Sequence, residues 1–330
     1  MSTAPTVVPA MTSSDANRRR LWFDRFVAWC IYLAAGAALA TIFLIFLFIA
    51  REALPVLFDS KVHEEVTITK MVSPQEYGTR EVPLSYVWQP VSDVPKYSLA
   101  PLLVGTFKVV AVAMLFAVPI AILAAVYTAE FAPRLVREMI KPAVELLAGI
   151  PSVVLGFFAL IVFASWSQSI FDFDFRLNVT SAGIILGLAV IPIVYTLSED
   201  ALQSVSPKVK DAAYALGAST SQVAFRVSLP AALPGIFAGV VLGMGRAVGE
   251  TMIVLMASGN AAVTSWSFTE PVRTLPATIA AELAEVVFGS PHYHVLFFLG
   301  TLLFVLTFVL NWLGARVIAE LTDRLTGARA

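Results

Sequence analysis

Two ionisable residues four positions apart stand inside an otherwise apolar stretch, in the run Gly243-Met244-Gly245-Arg246-Ala247-Val248-Gly249-Glu250-Thr251. Placing either charge at bilayer depth costs about 2.5–3.5 kcal/mol on insertion scales. On a continuous helix Arg246 and Glu250 share a face and can pair. Gly243, Gly245 and Gly249 remove side chains around them, which admits a neighbouring helix or a solute. Two readings fit. One is a polar, water-accessible patch on a transport path, with Arg246 as the contact for an anion. The other is a structural ion pair between bundled helices, or an arginine near enough to the surface to snorkel.

A second candidate is Ala148-Gly149-Ile150-Pro151-Ser152. Proline lacks an amide donor and clashes with the preceding turn, so a helix breaks or kinks there. A half-helix beginning at Pro151 aims free amides and a positive dipole end at whatever lies ahead, a device suited to anions; a packing kink is the plainer alternative. His292 and His294 flank Tyr293 without an acidic or cysteine companion at ligand spacing, and read as interfacial residues. The acids of the neighbouring loops, Glu282 among them, read as solvated surface. No cysteine or histidine stands with a base at triad spacing, so the expectation is a non-enzyme. Cys30 is the single cysteine, which excludes an intrachain disulfide and cysteine metal chelation.

These groups must be positioned by membrane-spanning helices. Of 330 residues, 58% are hydrophobic and 14% charged, against about 25% charged in a soluble domain; the mean hydropathy is +0.82. A soluble enzyme, a disordered tail and a nucleic-acid binder are excluded. Six apolar segments are predicted as spans, at 26–50, 99–129, 144–165, 181–197, 233–257 and 295–318, each near the length that crosses a hydrocarbon core of about 30 Å. The first follows Arg18, Arg19 and Arg20 and is too long for a signal core, so a signal anchor is expected. Basic residues gather in the N-terminal tail, at Arg134, Arg137 and Lys141, at Lys208, Lys210 and Arg226, and in the C-terminal tail. All these segments fall on one side, which predicts that both termini are cytoplasmic. The resulting division is a tail at 1–25, the first helix at 26–50, an extracytoplasmic loop at 51–98, a core at 99–320 and a tail at 321–330. The 51–98 loop alternates in Glu65-Val66-Thr67-Ile68-Thr69-Lys70 and carries Pro83, Pro90 and Pro95, which predicts a small, mostly extended element.

Between the fourth and fifth spans, at 206–230, the sequence predicts a rigid knob. Ser206-Pro207 is a helix start, Gly217 a left-handed stop, and Ser219 with Gln222 a capping box opening a second short helix that closes before Leu229-Pro230. Such a helix–glycine–helix suits a socket on a partner protein.

Here the chain resembles a family. Asp211-Ala212-Ala213, three residues, Gly217, nine residues, then Val227-Ser228-Leu229-Pro230 is similar to the EAA motif of ABC importer permeases, with Asp for the usual Glu and Val for the usual Ile. The resemblance implies a coupling helix that enters the cleft of a separate cytoplasmic ATPase, and the chain has no G-x-x-x-x-G-K-[ST] phosphate loop of its own. More narrowly, Arg246–Thr251, Ser258-Gly259-Asn260 and Leu147–Val154 look like the phosphate-specific permeases of the Pst system; Arg273-Thr274-Leu275 leading to Ala281-Glu282 looks more like its PstC-type subunit. That likeness implies an all-α fold of six transmembrane helices, with the MetI-like architecture of type I importers, in the bacterial inner membrane. It implies a heterodimer with a PstA-like permease, two copies of a PstB-like ATPase and a PstS-like phosphate-binding protein outside. It implies no cofactor on this chain, ATP and Mg being used by the partner. Arg246 would contact the anion, Glu250 would hold Arg246 and keep it from trapping phosphate, and Thr251 and Ser152 would add hydroxyls. At ~4 Å and an effective dielectric of ~20 one such contact is worth about 4 kcal/mol before desolvation, enough to guide an anion and weak enough to release it. Another oxyanion such as molybdate or sulfate, an ion-gradient-driven secondary transporter, and a membrane-bound signalling partner are the competing expectations.

Overall fold

The computed structural model describes residues 14–79 and 82–326, in two compact units, Met1–Arg51 and Glu52–Ala330. Helix α1 (Ser14–Ala53) opens Trp22–Phe58, the first of six helices among the described residues that are long and apolar enough to cross a membrane.

The second unit opens with three short helices, α2 (Pro55–Phe58), α3 (Ser60–Glu65) and α4 (Ile68–Val72). Asp59 starts α3 by accepting from the Lys61 amide at 2.9 Å, an N-cap contact. Two antiparallel ribbons follow, β1 (Gln75–Thr79) with β2 (Val82–Ser85), and β3 (Trp88–Gln89) with β4 (Lys96–Tyr97). The expected extended element is therefore helical in its first half, including most of 65–70. Spacing decides it: Val62, Val66 and Met71 are buried at intervals that suit turns of helix rather than alternation.

The remaining spans are α5 (Ala100–Val126), extended by a π-turn (Tyr127–Phe131); α7 (Ser152–Phe158), a π-turn (Ala159–Phe163) and α8 (Ala164–Phe171); and α9 (Val179–Gln203). Between the first two lies α6 (Arg134–Gly149), with no buried residue. The 206–230 segment holds α10 (Pro207–Ala215) and α11 (Thr220–Val223). A π-turn (Ala224–Ser228) leads into α12 (Leu229–Gly249), and α13 (Met252–Ala257) follows. After α14 (Leu275–Glu282), α15 (Pro291–Thr326) is the last span.

Helices α5, α9 and α12 form the packed centre. Lipid tails are as apolar as leucine, so membrane helices associate through close packing of small residues. Ala113, Ala117, Ala121 and Ala125 of α5 are all fully buried, a stripe at one-turn spacing. Gly183 of α9 lies so close to Val112 that a Cβ there would stand 2.6 Å from its side chain.

Several boundaries differ from expectation, most of all the starts of the third and fifth spans and the end of the fifth, at Gly249 instead of 257. The third span begins at Ser152, not 144, because Ile150 is extended (ψ 124°) and α6 is a separate helix; the residue before proline avoids the helical region. The fifth begins at Thr220: the second coupling helix does not close before Leu229-Pro230 but passes through a π-turn into α12. Pro230 therefore lies inside a continuous helical run, directly after the π-turn at which the hydrogen-bond pattern changes.

Candidate functional site

Helix α12 stops at Gly249, and Glu250 takes an extended conformation (ψ 128°). Among the described residues Arg246 has no ion pair, with Glu250 or with any other acid. Arg246 is exposed on α12, while its neighbours Ala247 and Val248 are buried. Glu250 turns the other way, into a tight space with Thr106, Val109 and Val110 of α5 and Thr274 and Pro276 at the start of α14. Its Oε1 accepts from the amides of Thr251 (3.2 Å) and Met252 (3.3 Å). A carboxylate there serves the orphan amides of a helix start. Glu250 thus stabilises the break rather than holding Arg246, which corrects the expected role.

Thr251 Oγ1 donates to the Gly249 carbonyl at 3.3 Å. Both residues line an open, mainly apolar cleft of about 430 Å³ with Pro276, Ile279, Ala280 and Leu303. Ser152 opens α7 with Pro151 at the N-cap position, so the helix breaks at the proline rather than bending. Helix α7 packs on α13: Gly156 sits beneath Met252, where a Cβ would stand 2.9 Å from the Met252 carbonyl oxygen. The two broken helices are neighbours, yet among the described residues no hydrogen bond joins Ser152 to Arg246, Glu250 or Thr251.

The 206–230 segment begins as the expected helix–glycine–helix, without the expected close before Leu229-Pro230. Pro207 opens α10, although the Ser206 hydroxyl makes no capping bond. Gly217 is left-handed (φ +83°), and the Ala218 amide donates to the Ala213 carbonyl at 3.1 Å, which closes the helix. Ser219 and Gln222 form a complete capping box. Asp211, Ala212 and Gly217 lie exposed and Ala213 half-buried. Beside them Val209, Tyr214 and Leu216 are 49%, 43% and 91% exposed. An apolar tip on a folded, charged loop has the character of a protein-docking surface.

Residues 117–321 match the family described as "Binding-protein-dependent transport system inner membrane component". The chain belongs to that family. Its members are transport components, not enzymes, and this one is a multi-pass membrane protein. The permease is 34% identical over 238 residues to the "Probable ABC transporter permease protein YqgH" of Bacillus subtilis, covering 72% of this chain and 75% of that one. It is 37% identical over 260 residues to the "Phosphate transport system permease protein PstC" of Mesorhizobium japonicum, covering 73% and 78%. In fold it is similar to a bacterial ABC transporter involved in the import of alginate (TM-score 0.56, 16% identity, 91% of this chain and 99% of that one). The MetNI methionine ABC transporter matches with TM-score 0.52 and 19% identity, over 67% and 96%.

The permease also carries polar groups that sequence reasoning missed. Lys108 of α5 is 5% exposed; its Nζ donates to the carbonyls of Ser265, at 2.9 Å, and Ser267, under the Phe268 ring. Asn311 of α15 stands beside Gly245, its Oδ1 3.4 Å from where a Cβ would be. Glu282 is not solvated surface: its carboxylate takes Trp88 Nε1 at 3.0 Å, Arg273 at 2.7 Å and His292 Nε2 at 2.9 Å. His292 therefore has an acidic partner, contrary to expectation. Tyr97 stacks edge-on with Trp88 at 5.6 Å; burial, then the charges of Glu65 and Glu282, push its phenol well above the ordinary range. Lone polar residues in apolar runs were the available signal for Lys108 and Asn311.

Proposed function

We propose that this chain is the PstC-like permease of an ATP-driven inorganic phosphate importer in the bacterial inner membrane, with both termini cytoplasmic. The observation that carries the reading is the coupling segment, whose capped helices, left-handed Gly217 and exposed Leu216 form a folded knob. Phosphate as the cargo is supported by relatives from several bacteria that bear the name phosphate transport system permease protein PstC. Asp211, Ala212, Ala213, Gly217, Leu229 and Pro230 shape the knob that a PstB-like ATPase, present twice, receives. Nucleotide and Mg belong to that ATPase. A PstA-like permease completes the pore, and a PstS-like binding protein delivers the anion.

Within the pore, Arg246 is the anion contact: an exposed guanidinium with no ion pair among the described residues. Its planar donors match a tetrahedral oxyanion. Thr251 and Ser152 add hydroxyls at the two helix breaks, and Glu250 keeps its break open for them. ATP binding closes the ATPases, moves the coupling knobs and exchanges inward for outward access.

The test is ATP-dependent uptake of labelled phosphate into proteoliposomes holding this chain with its partners, for Arg246 and Arg246→Ala, with sulfate and molybdate as competitors. Uptake that needs ATP, resists both competitors and is lost in the variant is expected. Uptake displaced by sulfate or molybdate refutes the cargo; gradient-driven uptake by this chain alone refutes the coupling.

A further inference from the structure

The end of α5 makes a contact that the transport reading does not use. Glu130, in the π-turn after α5, accepts from Lys210 Nζ of α10 at 2.7 Å, with side chains 6% and 20% exposed. Beside it Phe131 meets Phe225 of the π-turn before α12, ring centroids 6.5 Å apart. From the other side Arg137 of α6 donates to the carbonyls of Thr128 (3.0 Å) and Ala129 (2.8 Å). The pair Arg134–Glu138, 92% and 58% exposed, is of the kind that contributes almost nothing. Glu130 with Lys210 is the opposite case: with the carboxylate nearly out of solvent, either charge alone is strongly unfavourable, so the two resist separation.

Helix α5 with its π-turn, Ala100–Phe131, has 32 residues and so spans ~48 Å at 1.5 Å per residue. Towards its other end Lys108 holds the Ser265 and Ser267 carbonyls, and Gly105 lies against the Arg273 carbonyl with no room for a Cβ. One helix, with Pro119 in its interior, thus contacts the coupling knob at one end and the 258–274 connection at the other. We infer that the Glu130–Lys210 pair is a tether that makes α10 and α5 move as one body, delivering displacement of the coupling knob along α5 to the 258–274 connection. This rests on the permease reading above. Glu130 and Lys210 are positioning residues; neither touches the transported anion.

The test uses the reconstituted importer, and wild-type ATP-driven uptake comes first: its failure would sink the permease reading, not the tether. Glu130→Lys and Lys210→Glu are then expected to hydrolyse ATP while phosphate moved per ATP falls about tenfold, and the double exchange to recover to within about threefold of wild type, as a coupled pair requires. Single variants with wild-type stoichiometry, or a double variant no better than the singles, overturn the tether. Should the charge reversals fail to assemble, Glu130→Cys with Lys210→Cys in a Cys30→Ser background is joined by a short cleavable bis-maleimide. Two elements that move together tolerate the link, so uptake is expected to persist. Uptake blocked by the link and restored on cleavage overturns the proposal.

Discussion

Gly217 offers a separation of backbone cost from side-chain collision. Its φ is +83°, and among the described residues nothing beyond its chain neighbours lies within 4 Å of a Cβ built there. A substitution therefore changes only the cost of the left-handed conformation as far as this chain is concerned. That cost is roughly 1–2 kcal/mol for an ordinary L-residue and smaller for asparagine. We expect about 1 kcal/mol for Gly217→Ala, about 2 kcal/mol for the stiffer, β-branched Gly217→Val, and about 0.5 kcal/mol for Gly217→Asn. At 1.4 kcal/mol per tenfold, the balance between the observed knob and its alternatives shifts about fivefold, about thirtyfold and about twofold respectively. If the ATPase selects the observed conformation, its apparent affinity falls by up to those factors. The assay is titration of labelled ATPase onto the permease pair in nanodiscs, with uptake measured in parallel. The order Gly, Asn, Ala, Val is expected in both. An asparagine variant as weak as valine would refute the reasoning, because the loss would then come from the side chain striking the partner.

Three further outcomes follow from the packing and charges. Gly183→Ala puts a methyl 2.6 Å from Val112 and should cost about 1–3 kcal/mol, read as a lowered Tm in detergent; Gly149→Ala, with open space around it, should leave the Tm unchanged. Glu282→Gln removes the charge shared by Arg273 and His292; for a partly exposed site we expect about 2 kcal/mol, between surface and buried limits. Faster proteolysis within 52–98 and altered Trp88 fluorescence would report it, and an unchanged cleavage rate would contradict it. Tyr97 keeps its proton in the folded chain beyond the ordinary value of 10, whereas the unfolded chain ionises near 10. Its effect on stability is therefore flat below about pH 10 and unfavourable as pH rises past it, so Tyr97→Phe should lessen the loss of stability between about pH 9.5 and 11, followed by circular dichroism.

Signals that act over a few residues were legible in the sequence. The capping box at Ser219 and Gln222, the stop at Gly217 and the break at Pro151 each depend on local backbone chemistry, and each stands where the residues placed it. The spans followed from apolar runs, except where α6 continues the apolar pattern into the third. What was hidden depends on partners far along the chain. Lys108 bonds to carbonyls 157 and 159 positions away, and Trp88 reaches Glu282 across 194. No local pattern announces that a loop acid will be desolvated by a tryptophan from another loop, so Glu282 read as surface.

The break after Gly249 shows why spacing alone misassigned Glu250. Two charges four apart imply a pair only if the helix continues through both, and here the short second carboxylate finds nearer donors. The amides of Thr251 and Met252 are fixed, adjacent and unsatisfied once α12 ends, whereas the Arg246 side chain is exposed. Satisfying backbone amides inside a membrane outweighs a flexible ion pair, since unmet amides in lipid cost several kcal/mol each. The carboxylate is thereby committed to structure. A positive group that is not neutralised by its nearest acid attracts an anion more strongly than a neutralised pair would, which is the condition that the role proposed for Arg246 requires.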